Sequence, residues 1–551
     1  MAYRTAVRSV FMLSTILSLA ACGGDDGQQL TSSNGGGGNS GLPVGGGNGN
    51  GNSTGYQAGV FKDASLFEAK CAEPRSGTDP ATGQSFPDAQ GTALDEKMWL
   101  RSWTNDLYYW YNEVVDTNPG TYSPQEYFDQ FLKTTKTTAS GAAKDRFHFI
   151  DDSQHWYELS TKGQSAGYGL TWSFVSSTPP RQIVVAYIEP NSGSFTSPAA
   201  AQNVTRGMQV TEVDGTSING DDQASVDKLN AGLFPENAGE THTFKFLLPN
   251  GTTASRTLTT VNVTSTPVQN VKAIPSGSRL VGYMLFNDHI ATAESQLVSA
   301  INQLDAQNVN ELVLDIRYNG GGYLDLASEL AYMIGGSGTA GKTFEKLQFN
   351  DKHKTTDPVT GQPLDPIDFH STAQGLTVTR GQPLPTLNLS RVYVLTGPDT
   401  CSASESIMNS LIGADIEVIQ IGSTTCGKPY GFYPFDNCGT TYFSIQFRGI
   451  NAKGAGEYTD GFSPANTVGT KGVTVPGCSI ADDFTKDLGD PAEARLAAAL
   501  DYMANGQCVS APSGSSTAQS VQMKAGLPRP LSAVDGVTVK PAFLQNRIMR
   551  Q

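Results

Sequence analysis

The stretch VYVLTGPDTCSASESIMNSLIGADIEVIQI, residues 392–421, decides the fold. Val392 to Thr396 is a short apolar run, as expected of a strand buried on both faces. Gly397-Pro398 then turns the chain. Ala403 to Ile412 carries Ile407, Met408, Leu411 and Ile412 at helical spacing, and Ile416 to Ile421 is apolar again. Strand, helix, strand is βαβ order and predicts a parallel sheet covered by helices. Upstream, Leu312 to Ile316 reads as another buried strand and Tyr323 to Ile334 as a helix. The alternating pattern runs from about Val271 to Met503.

Three pieces of this region carry chemistry. Ser402, in Thr400-Cys401-Ser402-Ala403-Ser404-Glu405, falls at the first turn of the helix, beside free backbone N–H groups and the positive end of its dipole. A nucleophile gains from that setting, because the oxyanion formed on attack needs donors already in place; serine is also a common helix cap, and the stretch alone leaves that reading open. Lys428, in Gly427-Lys428-Pro429, follows the buried strand. Desolvation would disfavour its charge, and a neutral amine could take the serine proton; a surface lysine in a turn is the alternative. Asp315-Ile316-Arg317-Tyr318-Asn319-Gly320-Gly321-Gly322 joins strand to helix, and its glycines let backbone N–H groups approach a substrate. A phosphate loop fits poorly, since no Gly-Lys-Ser/Thr follows and the chain is acidic.

Together these pieces resemble the S41 family, the C-terminal processing or tail-specific proteases, over about Leu280 to Val468. The resemblance implies a ClpP/crotonase-like core, with Ser402 as nucleophile and Lys428 as general base. It also implies an oxyanion hole of the Gly321 and Ala403 backbone N–H groups. Ser404 is the competing serine, but the family's nucleophile stands two residues earlier. The sequence departs from the family in three ways. The serine-to-lysine spacing is one residue longer, Pro429 replaces the usual glycine, and Phe432 stands where a glutamine often orients the lysine.

Between about Ser165 and Val263 the pattern is β-rich. Gln182 to Ile188 and Met208 to Val213 read as strands, the second closed by Asp214-Gly215, and Gln223 to Leu229 as a helix. Thr241 to Leu248 and Ala254 to Val263 read as a hairpin around Asn250-Gly251. Tyr168-Gly169-Leu170, Ile188-Glu189-Pro190, Ser197-Pro198-Ala199-Ala200 and Gly207-Met208-Gln209-Val210 resemble a PDZ domain. That family binds a peptide C terminus on backbone N–H groups and adds the peptide as a strand; by resemblance Tyr168, Gly169 and Leu170 form the binding loop. Upstream, Asp95 is expected to cap a helix carrying Leu100, Trp103, Leu107, Trp110 and Val114. Ser123-Pro124-Gln125-Glu126 is a capping box opening a second helix.

The ends of the chain bear on location. Arg4 and Arg8 precede a short apolar stretch, Val10 to Ala20, below the roughly 20 residues that span a bilayer. Leu19-Ala20-Ala21-Cys22 resembles a bacterial lipoprotein cleavage box, with Cys22 lipidated. Gly23 to Gly55 is almost wholly Gly, Asn, Ser and Asp, a tether with a reach of roughly 30 Å. The expected location is the bacterial cell envelope, with the outer membrane favoured in a Gram-negative host and the folded part periplasmic or extracellular. Without Cys22, six of the 7 Cys remain, an even number suited to disulfides in an exported protein. Cys426 and Cys438, close in sequence, are the first expected pair.

The expected fold class is α/β multi-domain: signal peptide 1–21, Gly/Asn/Ser-rich tether 22–55, helical N-terminal cap 56–160, PDZ-like β-rich domain 165–265, S41-like α/β catalytic core 270–505 and C-terminal tail 506–551, the last expected to be partly loose. The formal net charge of −15, with 52 acidic and 37 basic residues and no basic run, argues against a nucleic-acid partner. Six scattered His with no HExxH, and Cys without CxxC, argue against a metal. No cofactor is expected. Gly163-Gln164-Ser165-Ala166-Gly167 fits a hydrolase elbow in letters, but lacks the strand before it and the helix after it. Asp151-Asp152 fits a solvated turn better than a cation site. The function these readings imply is a lipid-anchored serine endopeptidase acting on protein or peptide substrates, touching membrane only through its anchor. The competing functions are a tethered peptide-binding protein on an inactive protease scaffold, and a small-ester hydrolase.

Overall fold

The computed structural model describes residues 55–193, 195–508, 537–538 and 547–550. Cys22, the leader and most of the tether lie outside them. Among the described residues no helix is long and apolar enough to cross a membrane.

The first helix, α1 (Ala93–Leu107), differs from expectation at both ends. Its N-cap is Thr92, whose hydroxyl accepts from the Asp95 N–H while the Asp95 carboxylate accepts from the Thr92 N–H; Asp95 is the third residue of the helix, not its cap. The helix stops at Leu107 because Tyr108 turns extended and the Tyr109 N–H donates to Ile445 O (2.7 Å), so Trp110 and Val114 follow the helix instead of lining it. The second helix, α2 (Pro124–Phe131), has the expected capping box from Ser123 and Glu126. Strand β1 (Phe149–Asp152) leaves this region and pairs antiparallel with Thr440–Phe443, far along the chain. Asp152 then caps the next helix, Ser153–Tyr157, which accounts for one of the two aspartates.

A second unit is an antiparallel sheet built from β2 (Leu170–Ser176), β3 (Gln182–Ile188), β4 (Gln209–Val213), β5 (Thr241–Leu247) and β6 (Thr253–Thr259), with helix α3 (Gln223–Leu233) between β4 and β5. The expected long hairpin arm is divided. β6 ends at Thr259, and Val261–Thr264 pairs instead with Gln164–Gly167. Ser165 therefore lies in a strand followed by strand β2, not at a hydrolase elbow.

The third unit carries the βαβ pattern. Strands β7 (Val268–Ser276) and β8 (Arg279–Phe286) form an antiparallel pair, and helix α4 (Ala293–Ala306) follows. Then come β9 (Glu311–Asp315), β10 (Gly322–Tyr323), α5 (Leu324–Gly335), β11 (Arg391–Thr396), α6 (Ala403–Gly413), β12 (Glu417–Gly422), β13 (Gly477–Ser479) and α7 (Ala494–Asn505). The six-stranded sheet has order β7-β8-β9-β11-β12-β13, parallel from β8 onward, in the registers Met284↔Leu314, Leu314↔Val394, Leu395↔Ile421 and Ile421↔Cys478. Alternate residues of these strands enter two apolar layers: Leu312, Leu314, Val392 and Val394 pack with the α4–α5–α6 side, and Val313, Tyr393, Leu395 and Ile419 with α7. Burial on both faces explains the unbroken apolar runs.

Three disulfides form, but not the expected pair. Cys71 joins Cys438, Cys401 joins Cys426 and Cys478 joins Cys508. Cys438 sits in a left-handed turn (φ 57°) whose neighbour Asn437 accepts the Ala69 N–H at 2.9 Å, which places it against the N-terminal segment. Cys426 is held at the head of α6 by its own N–H, which donates to Thr400 O (3.0 Å).

Candidate active site

The chain leaves β11 at Thr396 and is pinned before it enters α6. Thr400 Oγ1 donates to Ile316 O (2.9 Å) and accepts the Gly397 N–H (2.9 Å). The Cys401 N–H and the Ser404 hydroxyl both donate to Asn319 O, at 3.1 and 3.0 Å. Ser402 between them is fully buried and has φ 60° and ψ −112°. For a residue with a side chain this backbone costs on the order of 1–3 kcal/mol and persists only where its surroundings enforce it. Its hydroxyl oxygen is buried without a hydrogen-bond partner, whereas the competing Ser404 hydroxyl is committed to a carbonyl.

Glu405, one turn into α6, connects Ser402 to Lys428. One carboxylate oxygen accepts the Ser402 N–H (2.9 Å) and the Lys428 N–H (2.8 Å). The other accepts the Gly427 N–H (2.8 Å) and the Thr425 hydroxyl (2.5 Å). The Cys401–Cys426 disulfide makes the same connection covalently, from the residue before the serine to the second residue before the lysine. Burial pushes the Glu405 carboxyl above the usual range, against the donors that pull it down. The same bond ties up the two sulfurs that lie beside Glu405, so they offer no thiolates to a metal.

Lys428 is fully buried, its Nζ 4.6 Å from the Phe147 ring and 4.7 Å from the Phe432 ring. The backbone before it can only be glycine. Gly427 has φ 84°, and a Cβ there would meet Thr459 O at 2.4 Å. Arg146 donates to Cys426 O at 2.6 Å, so the N-terminal region supplies both a ring and a strut to the lysine loop.

The glycine loop packs against the head of α6 through Asn319 O. The Asn319 side chain is its organiser. Oδ1 accepts the Gly321 N–H (2.9 Å) and lies 2.9 Å from His289 Nδ1, while Nδ2 donates to Phe286 O (3.0 Å). The Gly321 N–H is thus engaged within its own loop. Gly322 has φ 133°, and a Cβ would lie 2.4 Å from His289 O. Ala403, buried, is the first residue of α6, where an amide has no carbonyl one turn back inside the helix. Below the loop, buried Arg317 pairs with Asp315, Asp482 and Glu493, as a buried charge requires. Asp482 also pairs with Arg206 (2.7 Å), which donates to Ala186 O (2.6 Å), so one charge network spans the loop and the second unit.

In that second unit the Tyr168 hydroxyl donates to Gly232 O (2.8 Å), and Gly169 has φ 70°. The Tyr168 and Gly169 carbonyls turn inward to accept the Ala199 and Glu189 N–H groups, each at 2.9 Å, and Leu170 opens β2, which lies between β3 and Val537–Thr538. Sequence reasoning gave no role to Glu405, Asn319, His289 or Phe147. Glu405 had a signal in its Ser-x-x-Glu spacing, and Asn319 in its place before the glycines; His289 and Phe147 are brought in by the fold alone.

The profile of peptidase family S41 matches residues 280–435, which include the glycine loop, Ser402 and Lys428. The chain carries an S41 peptidase domain. A carboxyl-terminal-processing protease from Picosynechococcus sp. is 27% identical over 236 residues, 41% of this chain and 52% of that relative. The chain therefore matches about half the length of this relative. A structure assigned to the S41 proteases, from Bacteroides fragilis, shares 22% identity with a TM-score of 0.54, covering 74% of this chain and 97% of that one. The mixed α/β fold is thus that of S41 proteases. A photosystem II D1 C-terminal processing protease overlaps less well, with a TM-score of 0.39, 19% identity, 68% of this chain and 91% of that one.

Proposed function

We propose that the chain is an exported, lipid-anchored serine endopeptidase that cleaves peptide bonds through an acyl-enzyme on Ser402, with Lys428 as general base. One observation carries this reading: a strained, buried serine without a hydroxyl partner heads a helix, and a single carboxylate clasps it to the lysine segment. Strain of this kind clusters at functional sites. Lys428 is withdrawn from water with its Nζ beside the Phe147 and Phe432 rings, and the proposal requires its amine in the neutral form.

In the proposed cycle the Lys428 amine takes the Ser402 proton and Oγ attacks the peptide carbonyl. The oxyanion is received by the Ala403 and Gly321 N–H groups, the latter exchanging Asn319 Oδ1 for substrate oxygen. Lys428 then gives the proton to the leaving amine, and water hydrolyses the ester. The core is ClpP/crotonase-like and the β-rich unit PDZ-like, with Tyr168, Gly169 and Leu170 receiving a substrate C terminus and recruiting it to the site or gating the site. Cys22 carries the lipid, and the folded part works in the cell envelope, at the outer membrane of a Gram-negative host. Protein or peptide is the substrate; no cofactor, metal or nucleic acid enters.

A second reading, a tethered peptide-binding protein on an inactive scaffold, draws on Phe432 in place of an orienting glutamine. Casein digestion by the Tyr56–Gln551 form, beside Ser402→Ala and Lys428→Ala, separates the two. Digestion lost in both variants is expected; a folded wild type without activity favours the binding protein.

A further inference from the structure

Residues 547–550 lie in a groove beside the glycine loop. Arg547–Ile548 forms a strand parallel to β10, with Gly322↔Arg547 and Tyr323↔Ile548 in register. On the opposite side Ile548 bridges Phe432, again in parallel, and the Met549 N–H donates to Phe432 O at 3.1 Å. One wall of the groove is therefore the backbone leaving the proposed oxyanion loop. The other is the backbone four residues past Lys428, whose Nζ the Phe432 ring adjoins. An extended segment between two strand edges is how peptide-binding sites add a strand.

The side chains of the occupant are read differently along its length. Ile548 is 2% exposed and packs in the apolar cluster that holds Leu324, Tyr430 and Phe432. Two residues on, Arg550 Nε donates to Asp325 Oδ2 (2.6 Å) and Nη2 to Gln374 O (3.0 Å). Asp325 is the second residue of α5, directly after the groove strand, and its other oxygen faces His370 Nε2 at 3.3 Å. Burial works to raise the Asp325 carboxyl, yet His370 and Arg550 hold it below the usual range. A stretch of the same distal region, Val537–Thr538, adds antiparallel to β2 opposite Phe174 and Ser173, the edge of the sheet proposed to recruit peptides.

We propose that this groove is the peptide channel of the site, that it selects an extended segment with an apolar residue followed two positions later by a basic residue read by Asp325, and that Arg547–Arg550 is its resident occupant and competes with substrate. The inference rests on the peptidase reading, but the exchange and binding arms of its test do not.

The full chain is compared with Arg550→Glu, by hydrogen exchange over residues 547–550 and by cleavage of fluorogenic peptides containing Ile-Met-Arg or Ile-Met-Glu. Loss of a partly buried ion pair is expected to raise exchange and cleavage of the Ile-Met-Arg peptide at least about 5-fold. Asp325→Arg added to Arg550→Glu is expected to restore slow exchange and to turn the cleavage preference from the Ile-Met-Arg to the Ile-Met-Glu peptide, a switch that a merely structural ion pair would not give. Binding of fluorescein-labelled Arg-Ile-Met-Arg-Gln to the Ser402→Ala/Arg550→Glu chain is read by anisotropy and is expected to fall at least about 5-fold when Asp325→Asn is added. Asp325-dependent binding without any turnover sustains the groove while the chemistry fails. Turnover with equal handling of the two peptides, or unchanged exchange in Arg550→Glu, overturns the groove while leaving the chemistry intact.

Discussion

Glu405→Gln is the sharpest perturbation of the clasp. The carboxylate takes four donors, three of them backbone N–H groups that have no water to turn to. Alanine would orphan all three amides at about 1–3 kcal/mol each, a total comparable with the whole stability of a domain, and so would be uninterpretable. Glutamine keeps one oxygen. Turned toward Ser402 and Lys428 it satisfies both, and its NH2 can donate to Thr425 Oγ1. The Gly427 N–H is then orphaned and faces a second donor, a loss of about 1–3 kcal/mol. That loss falls on the residue before the lysine, and a misplacement of about 1 Å there costs on the order of 100-fold in rate. The expected result in a peptide-cleavage assay is kcat down by about 100-fold with KM nearly unchanged, together with a lowered urea midpoint. Unchanged kcat beside a lowered midpoint would refute the reasoning, because the clasp would then hold the fold without positioning the pair.

Other outcomes follow from single observations. Ser402→Ala removes a buried hydroxyl without a partner, so the variant should be inactive yet up to about 1–2 kcal/mol more stable in urea. Opening the Cys401–Cys426 bond by paired Ala substitution frees a loop of sequence separation 25, which should cost about 3.5 kcal/mol in urea unfolding; an unchanged midpoint would show that the bond does not hold the fold. Glu329 is pushed up to about 9, by burial first and then by the neighbouring Glu294. A carboxyl raised in the fold binds more protons folded than unfolded, so stability should fall as pH rises from the unfolded value near 4.5 toward about 9, at up to about 1.4 kcal/mol per pH unit. Glu329→Gln should flatten that slope in pH-dependent urea titrations; an unchanged slope would assign it elsewhere.

The alternating strands and helices were legible because both faces of the central sheet are buried, and the strands therefore read as unbroken apolar runs. Ser402 and Lys428 were legible as motif positions. What joins them was not: Glu405 received no role from its motif, since its Gly427 and Lys428 donors arrive from a loop more than twenty residues away. The disulfides were misread for the same reason. Sequence proximity favoured Cys426 with Cys438, while the fold brings Cys71 across a separation of 367 residues. The end of α1 was overrun because spacing continued past the point where Tyr109 is drawn to Ile445. Arg547–Arg550 could not be read from a polar tail, because a strand of this length has no pattern of its own and is defined by the two edges that receive it.

The most direct measurement is the site of acylation. A slowly hydrolysed peptide ester is turned over, quenched in acid, digested and mapped by mass spectrometry. The adduct is expected on Ser402 and is expected to vanish in Lys428→Met with the fold intact. An adduct on any other residue, or turnover that persists in Ser402→Ala, would contradict the account.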